Sequence, residues 1–394
     1  MATASRLAWD GESFSEERLK ETGGPVVEVK LIARKDKLLL KTSFAMDILL
    51  SRHTVKIIHL FLDCIIKGVN KGWGTGPHAQ RQQPSNSSSI TQFLLLAFAD
   101  RRDLQLLHFW LFLGIYLAAL LGNGLIITAV ACDHRLHTPM YFFLFNLSFI
   151  DLGSISTILL KSMANSLWDT RAISYAGCVV QVFLFSFLIV AEHCLLTIMA
   201  YDRYVAICKP LHYGTLLGSR ACVHMAAAAW GSAFLNALLH TTNTFSIPLC
   251  KGNVLDQFFC EIPQILKLSC SQSYLREVGL TVVSFALAFG CFVFIVLSYV
   301  QIFRAVLRIP SQQGRHKAFS MCLPHLAVVS LYISTAMFAY LKPPSISSPS
   351  LDLVVAVLYS VVPPAVNPLI YSMRNQELKD ALKKLIQSVV FQQQ

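Results

Sequence analysis

Charge is scarce in this chain. Asp, Glu, Lys and Arg supply only 14% of its 394 residues, apolar residues supply 54%, and mean hydropathy is +0.54. A soluble domain is about one quarter charged, which excludes that class. No charged residue interrupts 107–132, and none lies between Val179 and Ala191. No apolar stretch follows the first basic residues, so no signal peptide is expected at residue 1. No inverted repeat or pair of Gly/Pro-broken half-helices points to a transporter or channel working through buried acids. An intramembrane enzyme would need clustered His and Asp ligands, or a nucleophile with its base, at membrane depth. His193 beside Glu192 comes nearest, but adjacent helical residues project about 100° apart. No enzymatic activity is expected.

What is present is apolar length. A helix crosses a hydrocarbon core of ~30 Å with about 20 residues. Seven stretches qualify: 107–132, 140–160, 177–199, 221–240, 279–303, 318–341 and 351–371. Helices satisfy their own backbone groups in lipid, so these predict one all-α, seven-span bundle within residues 85–385. Twelve basic residues flank the loops after spans 1, 3 and 5 and the tail, against eight on the other side. That bias predicts the N-terminus outside and the C-terminus, with a short tail over 386–394, in the cytosol. The net charge of +11 thus reflects membrane topology, and no nucleic acid partner is expected.

Four cysteines fall on the predicted outer, oxidising side: Cys178, Cys250, Cys260 and Cys270. Four cysteines allow three pairings, and their spacing does not choose among them. Their ten-residue intervals do not form a C-x2-C pair, so no metal site is expected. Asn86-Ser87-Ser88 precedes span 1 and is the predicted glycosylation site, whereas Asn146-Leu147-Ser148 lies inside span 2.

Met199 to Tyr213 reads MAYDRYVAICKPLHY and marks the end of span 3. Arg203 there is either a snorkelling helix-end residue or a charge held at the membrane face until a cytosolic partner takes it over. Other motifs favour the second reading. They are Gly122-Asn123, LHTPMYFFLFNLSFID at Leu136 to Asp151, Ser298-Tyr299, KAFSMC at Lys317 to Cys322, and PPAVNPLIYSMRN at Pro363 to Asn375. With these, residues from about Ser85 to Leu385 resemble the vertebrate olfactory (odorant) receptors within the rhodopsin-like G-protein-coupled receptors.

The resemblance implies a multi-pass plasma-membrane receptor, set in membrane lipid, for a small volatile ligand. Its partner would be a heterotrimeric G protein of the stimulatory olfactory type, which raises cyclic AMP. A rhodopsin-like receptor for another small ligand outside the nose is the alternative. The ligand-binding residues it implies are Phe185, Ser186, Ile189 and Val190 in span 3, Val283, Ser284 and Leu287 in span 5, and Ile333, Ala336, Met337 and Tyr340 in span 6. Span 7 has no Lys, which excludes a retinal Schiff base. The uncharged outer half of span 3 suits a mostly apolar, uncharged ligand.

For coupling the resemblance implies Asp202, Arg203, Tyr204, Tyr299, Lys317, Asn367, Pro368 and Tyr371. Arg315, His316 and Lys317 make the start of span 6 basic, so Arg203 is expected to rest on Asp202 alone, close to water. Asn123, Asp151 and Glu192 form a polar core in which a cation or proton couples pocket to cytosolic face; no other cofactor is expected. The implied disulfides are Cys178–Cys260 and Cys250–Cys270. Met321, Pro324 and Tyr332-Ile333-Ser334 depart from the family pattern, and Pro324 is expected to kink span 6.

Residues 1–84 match nothing in the family. They read as an atypical extension, either mis-joined upstream sequence or a disordered outer tail. Deleting residues 2–83 is therefore expected to leave ligand-stimulated cyclic AMP at parental amplitude. Loss of signal at normal surface expression would show that the extension takes part in signalling.

Overall fold

A computed structural model describes residues 90–96, 98–99, 101–270, 275–341 and 349–391. Asn86 and the 1–84 extension lie outside them.

Apolar runs become long helices: α1 (Arg102–Cys132), α2 (Pro139–Trp168), α3 (Tyr175–Cys208), α4 (Ser219–Phe245), α5 (Leu275–Arg308) and α6 (Gln312–Leu341). Most overrun the predicted spans; α3 continues from residue 199 to Cys208. Hydropathy marks the bilayer core, whereas backbone hydrogen bonding carries a helix on into the headgroup region. The last span differs from expectation. It is two helices, α7 (Pro349–Ser360) and α8 (Val362–Arg374), bent by 42°. Pro363 and Pro364 in the first turn of α8 lack N–H donors, and their rings crowd the carbonyls four residues back, so one straight helix is not sustained. Among the described residues, five single helices are apolar and long enough to cross a membrane, and the bent pair makes a sixth. The 30 residues of α6 exceed the length a span requires. A final helix, α9 (Gln376–Phe391), follows α8.

α3 occupies the centre of the bundle and packs against α2, α4, α5 and α6, while α1 packs against α2 and α8. Tyr141, Phe143, Leu147 and Ile150 of α2 are fully buried in the shared core. Gly122 is the contact point between α1 and α8, because a Cβ there would come within 3.0 Å of the Pro368 side chain. Trp230 of α4 donates to the Asn146 side chain of α2 at 3.0 Å. The Tyr141 hydroxyl lies 2.8 Å from the Asn375 side-chain amide oxygen and 3.0 Å from a Glu377 carboxylate oxygen, fastening α2 to the α8–α9 junction.

The end of the bundle that carries the disulfides has a small cap. β1 (Gln92–Leu94) pairs antiparallel with β2 (Ala172–Ser174), and Leu94 also bridges Val254. Phe93, Ile173, Leu255, Cys260 and Ile265 form the apolar centre of this cap. An all-helical reading misses such strands because three residues are too few to show an alternating pattern. Cys178–Cys260 ties the start of α3 to the long loop, with a Cα separation of 5.6 Å; Cys250–Cys270 closes that loop on itself at 4.8 Å. Both lie within the range a disulfide spans.

In a chain-entropy picture, closing loops of these lengths is worth about 4.5 and 3 kcal/mol respectively. Double-serine variants should therefore lower the apparent melting temperature of the detergent-solubilised chain, and Cys178→Ser with Cys260→Ser should lower it more. Melting unchanged from the parent in both would contradict the staple role.

Candidate functional site

At the end of the bundle opposite the disulfides, the chain turns back under α3. A 3-10 turn at Pro210–His212 and a one-turn helix at Tyr213–Leu216 bring Tyr213 beside Asp202. The Tyr213 hydroxyl donates to Asp202 at 2.7 Å, and the other Asp202 oxygen lies 3.2 Å from the Arg203 guanidinium. The Arg203 and Asp202 side chains are only 7% and 2% exposed. This corrects the expectation of an isolated pair near water. Asp202 has two partners, and it and Arg203 are buried with Tyr213 half-buried above them, because the loop covers the pair. Burial, reinforced by the Asp202 charge, pushes the Tyr213 phenol above its ordinary pKa, so it remains a donor at physiological pH.

Around the trio stand Tyr299 and Tyr204, which the sequence assigned to coupling, and His325 and Cys322, which it did not. The Tyr299 hydroxyl lies 2.6 Å from His325 Nδ1, and both side chains are buried. His325 had a readable signal, an ionisable residue inside an apolar span. Cys322 and Tyr299 come within electrostatic range of Arg203. Tyr204 is half-buried, with the Lys209 ammonium 5.9 Å from its ring centre. Leu211, at the tip of the turn, is 94% exposed. Lys317 lies in the first turns of α6, and its side chain is outside the described residues.

The polar core forms midway along the helices. Asn367 of α8 donates to Asp151 of α2, 3.1 Å from either carboxylate oxygen. Glu192 of α3 is buried within electrostatic range of Asp151. Asn123 of α1 donates to the Pro364 carbonyl at 3.0 Å, about one helical turn before Asn367. Tyr371, one turn after Asn367 on the same helix face, is buried and within electrostatic range of both acids. Oxygens of Glu192, Asn123, Asn367 and Tyr371 are buried with no partner among the described residues. Two adjacent carboxylates with neighbouring unpartnered oxygens are a donor set that fits a small hard cation. His193, by contrast, turns away: it stacks on Tyr332, and its Nε2 lies 3.2 Å from the Ala288 carbonyl.

The predicted ligand residues divide. Phe185 is buried, with its ring 5.1 Å from that of Phe259 and 6.2 Å from that of Tyr359. Ser186, Ile189 and Val190 are half-buried on the same broad face of α3, and Tyr332 donates to the Ile189 carbonyl at 3.0 Å. Ser284 turns to α4, 2.8 Å from Asn236 Nδ2 and 2.9 Å from His240 Nε2. Val283 and Leu287 are corrected. They are 59% and 67% exposed on the outward face, one residue before the inward positions Ser284 and Ala288. The side chains of Ile333, Ala336, Met337 and Tyr340 in α6 lie outside the described residues. Glu261, not foreseen, descends from the disulfide-linked loop and accepts from Tyr359 at 2.5 Å and from Gln257 at 3.4 Å. Burial raises its pKa above the ordinary carboxyl value.

A sequence profile described as olfactory receptor matches residues 112–388. Olfactory receptor 14J1 of Homo sapiens is 50% identical over 301 residues, covering 76% of this chain and 94% of that protein. Olfactory receptor 14C36 of Homo sapiens is 47% identical over 306 residues, or 78% and 98% of the two chains. Olfactory receptor 14A16 of Homo sapiens is 49% identical over 302 residues, or 77% and 97%. The chain belongs to the olfactory receptor family, the G-protein-coupled receptors of olfaction, and is a multi-pass plasma-membrane receptor and not an enzyme.

Proposed function

We propose that this receptor binds a small, mostly uncharged odorant between α3 and α6 at the disulfide end of the bundle. Binding activates a stimulatory olfactory-type G protein and raises cyclic AMP. The disulfide end faces outward and the Arg203 end faces the cytosol, with the N-terminus outside. Cysteine sidedness and the basic-residue bias support that orientation. Phe185, Ser186, Ile189 and Val190 supply the α3 wall, and Phe259 and Tyr359 supply an aromatic roof. The oxygens of Glu261 are engaged by Tyr359 and Gln257, so this nearby acid is not free to select an amine.

The buried Arg203–Asp202 pair, with Tyr213 hydrogen-bonded to it, carries the coupling reading. A charge kept out of water by two partners is a stored donor, released when the loop or α6 moves. The exposed Leu211 beside it offers an apolar knob to a cytosolic partner. Arg203→Ala should abolish agonist-driven cyclic AMP. It should also lower surface level, because removing one partner of a buried pair costs about 3–5 kcal/mol. Adding Asp202→Asn removes the uncompensated charge, so the double variant should regain surface level without regaining signal. A surface-normalised cyclic AMP response equal to the parent in either variant would overturn the coupling role.

In the polar core, Asp151 and Glu192 would hold a small monovalent cation that offsets two carboxylates buried together. Exchanging sodium for choline during agonist titration should then shift potency several-fold, and Asp151→Asn should remove that shift. Equal potency in both salts for the parent would count against a bound cation and leave a proton in that place.

A further inference from the structure

An open groove of about 310 Å³ lies between α2 and α3 near the disulfide end, on the outside of the bundle. Its apolar lining includes Ile173, Val180 and Leu184, and the last two are exposed. The polar side chains are Thr157, Ser174, Gln181 and Lys161, and no acid lines it.

The hydrogen bonds of this lining can be accounted for one at a time. Thr157 donates to the Gly153 carbonyl at 2.8 Å. Ser174 accepts from the Gly177 amide at 3.1 Å as the cap of α3. Gln181 donates to the Thr157 carbonyl at 2.9 Å and accepts the Cys260 amide at 2.9 Å. The Lys161 ammonium is left, with no partner among the described residues. It directly follows the apolar stretch ending at residue 160, at the level where a charged group still meets water.

The groove is separate from the odorant region. Phe185 follows Leu184 in sequence but projects about 100° away around α3, into the contact with Phe259 and Tyr359. A ligand matched to this lining needs one anionic head and an apolar chain, and nothing else polar. Its volume falls within the range of about 300–1,000 Å³ usual for small-molecule sites.

We propose that this groove binds a free long-chain monocarboxylate, a fatty-acid anion. Its carboxylate sits on Lys161 and its chain lies over Val180 and Leu184, with entry from the surrounding lipid. Of the function reading above it uses only the membrane setting of the bundle.

The test uses the full chain in phosphatidylcholine nanodiscs with a diazirine-bearing palmitate as photoprobe. Label should map to the α2 and α3 peptides, and unlabelled palmitate should compete it while hexadecanol does not. Lys161→Gln should reduce labelling at least tenfold at equal receptor concentration, and Lys161→Arg should retain it. Leu184→Trp, which fills the groove and leaves the cation, should also lose label. Labelling undiminished in Lys161→Gln, or hexadecanol competing as well as palmitate, would overturn the proposal. Phosphatidylglycerol displacing the probe as effectively as palmitate would overturn it too, by assigning the groove to a phospholipid headgroup. The readout is labelling, so failure of odorant signalling leaves this result unaffected.

Discussion

A buried arginine sets the terms for the rest of this receptor. Taking a guanidinium out of water costs several kcal/mol unless partners surround it, and a carboxylate beside it carries a similar cost. Here Asp202 answers Arg203, and Tyr213 answers the second Asp202 oxygen. That second contact requires the chain to double back after α3, which the Pro210–His212 turn provides. The path of this turn is thus tied to keeping one charge satisfied.

The trio is connected to the proposed odorant region through α3 itself, a helix 34 residues long. Midway along it Glu192 lies within electrostatic range of Asp151, which Asn367 of α8 holds by its amide. The 42° break between α7 and α8 separates the aromatic roof at Tyr359 from this amide. A ligand at the proposed site that shifted Tyr359 would act on the shorter α7, whereas α8 is packed against Gly122 through Pro368. A span divided in this way can move in halves, which suits switching better than one continuous helix would.

Much of this was legible in the residues, and the illegible parts have physical causes. Apolar runs located the helices, since a span in lipid is hydrophobic all round. The same property hid which face turns inward: along α5 the lipid-facing Val283 and Leu287 are as apolar as any core residue, so periodicity offers no register. The partnership of Tyr213 with Asp202 spans a turn whose path depends on tertiary packing, and sequence spacing does not reveal it. His325 was readable as an isolated ionisable residue inside a span, but its contact with Tyr299 joins two helices. Glu261 read as an ordinary loop acid, and only the fold carries it to Tyr359.

The central claim is that Arg203 is held by a carboxylate that Tyr213 helps to keep in place. The most direct measurement is the basal rate of nucleotide exchange on purified G protein, without odorant, comparing the parent with Tyr213→Phe. That change removes one hydroxyl and almost no volume. The account predicts a higher basal rate in Tyr213→Phe at equal receptor concentration, because Asp202 loses one of its two partners and releases Arg203 more readily. A basal rate equal to or below the parent's would contradict it.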